Sequence, residues 1–268
     1  IGEVTSVTDF VRTTSYSYNT LSQLTGITLP EGNGFTYSYD ARGNVTQATA
    51  VAKPGSGLTN VTTTSGYDTT CVNAVKCNQP NWTKDSVGNQ TDYGYDPTTG
   101  LLTSVTAPAL PNGVRPQTRL SYTPKNGAQL LTGTSSCRTT TSCIGTSDET
   151  KTTVAYDGNM RPLSKIVAAG NGSVSVNTSQ TYDDVGNVVT STDGNGNVTT
   201  NIYDADRELT QTVSPDPDGA GPLLNRSIQI VYNADGLPTT VSVGTSSPNG
   251  SGFSALAQQV TTYDANAR

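Results

Sequence analysis

The placement of the tyrosines constrains this chain more than any other feature of its sequence. Ten of the thirteen head a Tyr-Asp-like dipeptide: Tyr18, Tyr39, Tyr67, Tyr95, Tyr122, Tyr156, Tyr182, Tyr203, Tyr232 and Tyr263. The residue after the head is Asp seven times (Asp40, Asp68, Asp96, Asp157, Asp183, Asp204, Asp264), Asn twice (Asn19, Asn233) and Thr once (Thr123). The other three, Tyr16, Tyr37 and Tyr93, stand two residues before a head. That alternation puts both rings on one face of a strand.

Turn chemistry follows the heads, as in Tyr39-Asp-Ala-Arg-Gly43-Asn-Val45-Thr and Tyr182-Asp-Asp-Val-Gly186-Asn-Val188. An Asp that opens a type I turn accepts from the backbone two residues on, and Gly at the fourth position supplies the left-handed conformation that returns the chain antiparallel. Met160 and Arg207 stand where the turn glycine is expected, and Tyr95-Asp-Pro-Thr-Thr-Gly100 is one residue longer. A Thr/Val strand such as Leu102-Thr-Ser-Val105-Thr and a second polar turn such as Asp193-Gly-Asn-Gly-Asn197 complete the unit. Each unit therefore reads as a hairpin plus a link.

The shortest head-to-head spacing is 21 residues, from Tyr18 to Tyr39 and again from Tyr182 to Tyr203. This accommodates two strands of about six residues and two turns of about four. The other spacings run from 26 to 34 residues, lengthened by insertions at Cys71–Pro80, Cys137–Asp148 and Pro215–Pro222. Composition agrees with strands. Leu, Ile, Val and Phe total only 50 of 268 residues while Thr alone supplies 46, so β-branched side chains suited to a pleated surface outnumber core fillers. A net charge of −6 is too low for the disordered class. The expected fold is all-β, a single array of antiparallel hairpin repeats over residues 1–268, with a β-propeller as the alternative. Two 21-residue units approximate one blade, but irregular spacing argues against ring closure.

The four cysteines form two pairs, Cys71 with Cys77 and Cys137 with Cys143, each separated by five residues in Thr-, Ser- and Asn-rich stretches. Zinc knuckles need closer thiols and usually recruit His, of which there is none. The pairs read as disulfides, each closing a loop too short to add more than about 2 kcal/mol, and they imply an oxidising, extracytoplasmic address.

These features resemble the YD repeats of the RHS family. The resemblance rests on Tyr39-Asp-Ala-Arg-Gly-Asn-Val-Thr, Gly2-Glu-Val-Thr-Ser-Val-Thr-Asp9 and Asp193-Gly-Asn-Gly-Asn-Val-Thr-Thr-Asn-Ile-Tyr203-Asp204, and it covers essentially the whole chain. It implies a long spiralling sheet that forms a shell, around a toxin in bacterial RHS and insecticidal complex proteins and outside the cell in teneurins. It further implies a non-enzymatic scaffold, a segment of a secreted or cell-surface bacterial protein. The terminal strands lack hairpin partners, so the array is expected to continue at both ends, in the rest of a longer chain as the resemblance favours or by head-to-tail addition of further copies as a filament. The resemblance adds an encapsulated toxin domain as partner.

The chemistry is otherwise sparse. Without histidine there is no Ser-His-Asp or Cys-His centre, and no catalytic, metal or cofactor residue is assigned. Asp216-Pro-Asp218-Gly-Ala-Gly221 starts like a calcium loop but lacks the third ligand and the distal Glu, so it reads as a solvated insertion. Fifteen scattered Lys and Arg form no basic stripe for nucleic acid, and no apolar run approaches the ~20 residues of a membrane span. The alternative function is a cell-surface adhesion or glycan-binding module presented by the polar Thr/Asn face. Trp82 and three Phe are the aromatics left over for a platform.

Overall fold

The computed structural model describes residues 2–219 and 221–264. The residues group into two compact units, one formed by 1–121 with 134–150 and the other by 122–133 with 151–268. Among the described residues every regular element is a strand.

In the first unit the strands are β1 (Ser6–Asp9), β2 (Arg12–Tyr18), β3 (Leu24–Thr28), β4 (Gly34–Tyr39), β5 (Val45–Val51), β6 (Val61–Gly66), β7 (Trp82–Lys84), β8 (Gln90–Tyr95) and β9 (Leu102–Thr106). Each pairs antiparallel with the next, and β9 pairs with the start of β10 (Gln117–Lys125). Next in sequence come β11 (Ala128–Cys137) and β12 (Glu149–Tyr156). The second unit contains β13 (Pro162–Ala169), β14 (Ser175–Tyr182), β15 (Val188–Thr192), β16 (Val198–Tyr203), β17 (Leu209–Val213), β18 (Asn225–Tyr232), β19 (Pro238–Ser246) and β20 (Ser254–Val260). These also pair in unbroken sequence. Propeller blades would interrupt the ladder after every fourth strand, so within each unit the alternative fold is excluded.

The register slips by one residue at Tyr18, Tyr39, Tyr95, Tyr182, Tyr203 and Tyr232. Local loop geometry causes the slip. In the Tyr39 hairpin the Gly43 N–H donates to Asp40 O at 3.0 Å and the Asp40 N–H to Asn44 O at 2.9 Å. This is a type I turn followed by one left-handed residue, Gly43 at φ 87°, a combination that places a bulge on the return strand. The same backbone pattern closes the links at Leu29–Asn33, Asp85–Asn89, Leu110–Val114, Asp193–Asn197 and Ser247–Ser251, so both edges of each hairpin series use one loop type. Tyr122 departs from this loop, because it lies inside β10 and its hairpin turns later at Asn126-Gly127, both with positive φ.

The apolar core is small. Among the described residues, the buried apolar side chains are Cys77, Cys137, Cys143 and Val213. Polar groups share the interior of the second unit: Gln211 Nε2 donates to Ser227 Oγ at 2.8 Å and to Gly250 O at 3.1 Å, and Asn225 Nδ2 to Ser214 O at 2.9 Å. Threonines lock neighbouring strands side by side, as in Thr49–Thr62 at 3.0 Å and Thr181–Thr190 at 2.6 Å. With so little buried apolar area, cohesion rests on the backbone ladder and on whatever ties one hairpin to the next.

Candidate functional site

That tie is the head tyrosine. All ten heads are half-buried. In nine of them the phenol donates to a backbone carbonyl of the preceding unit: Tyr18 to Val4 O (3.0 Å), Tyr39 to Leu24 O (2.6 Å), Tyr67 to Val45 O (3.2 Å), Tyr95 to Pro80 O (3.0 Å) and Tyr156 to Leu131 O (2.9 Å). The series continues with Tyr182 to Pro162 O (2.9 Å), Tyr203 to Val188 O (3.2 Å), Tyr232 to Leu209 O (3.0 Å) and Tyr263 to Pro238 O (2.9 Å). Tyr122 also has an interaction partner.

The acceptors obey a rule that sequence reading missed. Leu24, Val45, Pro162, Val188, Leu209 and Pro238 each stand six residues after the previous head, at the first residue of the return strand. Where the bulged loop follows a head its length is fixed, so the ring from the next unit meets the same carbonyl; after the insertion at Asp68 and the longer β10 hairpin, Tyr95 and Tyr156 meet Pro80 and Leu131 instead. Proline is tolerated there because only the carbonyl is used and the first strand position needs no ladder donor. The six-residue offset was visible in the sequence, but the role of its carbonyl was not.

The residue after the head organises the loop. Asp40 Oδ1 accepts from the N–H groups of Arg42 (2.8 Å) and Asn44 (2.9 Å), and its Oδ2 accepts from Asn44 Nδ2 (2.9 Å). Asp183 repeats this with Val185, Gly186 and Asn187, and the link aspartates Asp85 and Asp193 repeat it with Asn89 and Asn197. The partner Asn four residues after each Asp is a second signal not read from the sequence. Burial raises the Asp40 and Asp183 carboxyls, but donation from Asn44 and Asn187 and from loop N–H groups outweighs it and holds both below the usual carboxylate range. At Asp85 and Asp193 the Asn amide is the strongest influence and acts in the same direction.

Other heads depart from this pattern. Asn19 and Asn233 keep the two backbone bonds. Asp68 opens an insertion instead of a tight turn and pairs with Asn81 Nδ2 (2.8 Å) and Lys76 Nζ (3.3 Å). Arg161 occupies the Asn slot at Asp157, bonding its Oδ2 at 2.6 Å while its guanidinium lies 4.3 Å from the Tyr182 ring centre, a cation–π contact with the next head. At Asp204 the slot holds Glu208, whose carboxyl is raised first by burial and then by Asp204 and Asp206.

Two predictions follow from these loops. Ser22, Met160 and Arg207 occupy the left-handed slot at φ 59°, 64° and 68°. A side chain there strains the backbone by about 1–2 kcal/mol, so Met160→Gly and Arg207→Gly are each expected to stabilise by about 1 kcal/mol in chemical denaturation. A loss of stability in both would remove the strain account. Glu208→Asn restores the missing amide for Asp204 and removes a charge that Asp204 and Asp206 oppose, and is expected to raise Tm at pH 7 and to have a smaller effect as the pH is lowered and the Glu208 charge is lost.

The insertions are held internally. Cys71 is bonded to Cys77 and Cys137 to Cys143, with Cα separations of 4.9 and 5.5 Å. In the second loop Asp148 accepts from Thr139 and Thr140, chiefly the Thr139 hydroxyl, which takes its pKa down to about 2. Buried Glu149 accepts from Ser135 Oγ and, at 2.8 Å, from the Gly145 N–H. The loop opening at Asp216 is self-contained: Asp216 Oδ1 accepts from the Asp218 N–H at 3.0 Å and Asp218 Oδ2 from the Leu223 N–H at 3.3 Å; Ala220 lies outside the described residues. Among the described residues no three His, Cys, Asp or Glu side chains converge on one point. No helix there is long and apolar enough to cross a membrane.

Residues 18–53 and 182–219 match the RHS Repeat family. No curated protein sequence matches the chain. Among solved structures it is similar to part of the crystal structure of TcdB2-TccC3-Cdc42, with a TM-score of 0.51 and 13% identity over 88% of this chain and 14% of that one. The crystal structure of TcdB2-TccC3-TEV gives 0.49 and 13% identity over 90% and 14%. A Photorhabdus luminescens Tc holotoxin pore gives 0.28 and 12% identity over 94% and 17%. The chain thus spans 14% of the length of the first of these structures, and the likeness is one of fold.

Proposed function

We propose that this chain, which carries RHS repeats over residues 18–53 and 182–219, is a non-enzymatic scaffold: a wall segment of a larger secreted or surface-exposed bacterial protein whose repeats form a shell or filament. The observation that carries this reading is the staple, nine phenols tying each hairpin to the one before. A catalytic scaffold concentrates its polar groups in one cleft, whereas here the same contact recurs along the whole chain. Such repetition makes each unit depend on its neighbours and lets a wall extend without a large core of its own. Two cystines in so small a span favour an oxidising compartment outside the cytoplasm.

The adhesion reading has less support. Trp82 is half-buried, with Lys84 Nζ 5.1 Å from its ring centre, which leaves it a poor platform for a sugar. Electron microscopy of the full-length gene product is the test. The scaffold reading expects this segment as part of a longer continuous wall around an enclosed volume or along a filament. A lone module with saturable binding on a glycan array would overturn it in favour of adhesion. Encapsulation is tested separately, by protease protection of any further domain while the wall is intact.

A further inference from the structure

The two cystines have identical spacing and different surroundings. Cys137 and Cys143 are both buried, at 4% and 1% exposure. In the other pair only Cys77 is buried, at 3%, and Cys71 is exposed. A disulfide opens when a thiolate attacks one sulfur in line, so access to at least one sulfur decides whether the folded protein reacts.

The loop closed by Cys71 and Cys77 is also connected to its neighbours. On the side of the preceding unit, the Arg42 guanidinium donates to Asp68 O and, at 3.4 Å, to Thr69 O, so the Asp40 loop grips the entry to the insertion. On the side of the following unit, Asn73 Nδ2 donates to Pro97 O at 2.6 Å and Gln79 Nε2 to Gly100 O at 2.8 Å. Val75 O lies so close to Gly100 that a Cβ there would approach it at 2.4 Å. Within the loop, the Cys77 N–H donates to Asn73 O at 2.9 Å and Lys76 pairs with Asp68 at 3.3 Å. Three successive turns thus meet at this insertion, around the short covalent ring closed by Cys71 and Cys77. Asn73 and Val75, which reach the Asp96–Gly100 turn, lie inside that ring.

We propose that Cys71–Cys77 is a thiol-responsive clasp whose reduction uncouples the Asp96–Gly100 turn from the insertion, while Cys137–Cys143 stays closed in the folded protein. The reductant is a low-molecular-weight thiol. Its thiolate attacks Cys71 Sγ, forming a mixed disulfide as the S–S bond breaks and Cys77 leaves as thiolate, to be protonated. A second thiolate resolves the mixed disulfide, freeing Cys71 and carrying both oxidised equivalents away as the small-molecule disulfide.

The test uses the folded chain under graded dithiothreitol, with alkylation and peptide mapping. Cys71 and Cys77 are expected to be labelled at least about tenfold faster than Cys137 and Cys143, since access controls the rate. Hydrogen exchange run in parallel is expected to speed up at Thr98–Leu101 after reduction and to stay unchanged in the Asp183–Asn187 loop. The Cys71→Ser/Cys77→Ser double variant should show the same exchange pattern without reductant. The proposal is overturned if both disulfides open at one rate. It is also overturned if Thr98–Leu101 exchange is unaltered once Cys71–Cys77 is fully reduced, or if the double variant keeps the oxidised pattern.

Discussion

Replacing Tyr39 by alanine is expected to destabilise the first unit by about 3 kcal/mol, and replacing it by phenylalanine by about 1 kcal/mol. The ring is half-buried between hairpins, so truncation forfeits part of the cost of a fully buried aromatic. It also strands Leu24 O, which accepts the phenol at 2.6 Å. Phenylalanine keeps the packing and loses only the hydrogen bond. Asp216→Ala, in a loop whose contacts stay within itself, is expected to be nearly silent. Chemical denaturation of the three variants ranks them. Equal shifts for Tyr39→Ala and Asp216→Ala would mean that the heads do not carry the array, and a calcium-dependent shift at Asp216 would revive a metal loop.

The second large effect is acid lability. Asp40, Asp68, Asp85, Asp96, Asp148, Asp157, Asp183 and Asp193 all have folded pKa values below the ordinary one, Asp148 at about 2. A carboxylate whose pKa is depressed on folding contributes stability that is fully present above its unfolded pKa of about 4 and is lost as pH falls through the folded value. Glu208, raised on folding by burial and by Asp204 and Asp206, acts with the opposite sign. The aspartates outnumber it, so Tm is expected to be nearly flat from pH 8 to 5 and to fall steeply between pH 4 and 2. Asp183→Asn should be less stable at pH 7, because an amide in place of Oδ2 faces the Asn187 amide instead of accepting from it at 2.8 Å. Its melting temperature should also fall less steeply in acid. Thermal melts at matched ionic strength measure both, and an Asp183→Asn variant as acid-sensitive as the parent would refute the loop account.

Much of the architecture was legible because it is local. The Tyr-Asp heads, the turn glycines and the Thr/Val runs specify hairpins through backbone conformation alone. A left-handed residue such as Gly43 or Gly186 needs no distant partner to turn the chain. Even the departures were visible, since Met160 and Arg207 stand out against the glycines of the other loops and do take the strained conformation. The cysteine pairs were legible for the same reason, their short separation leaving each thiol a partner close at hand.

Tertiary structure decided what the heads touch. The sequence set each tyrosine on a strand face without saying whether it fills its own hairpin or reaches another. The carbonyl it finds belongs to the preceding unit, and the choice depends on the register slip at the bulge and on strand pairing across the link. Likewise the two cystine loops are twins in spacing. Yet Cys143 is buried and Cys71 exposed, and the two loops bond different surroundings, Gly145 meeting Glu149 in one and Asn73 and Gln79 meeting the Asp96–Gly100 turn in the other. Turn chemistry is written in four or five consecutive residues and can be read from them. Contacts between residues 15 to 25 positions apart exist only once the ladder has set the distance between them.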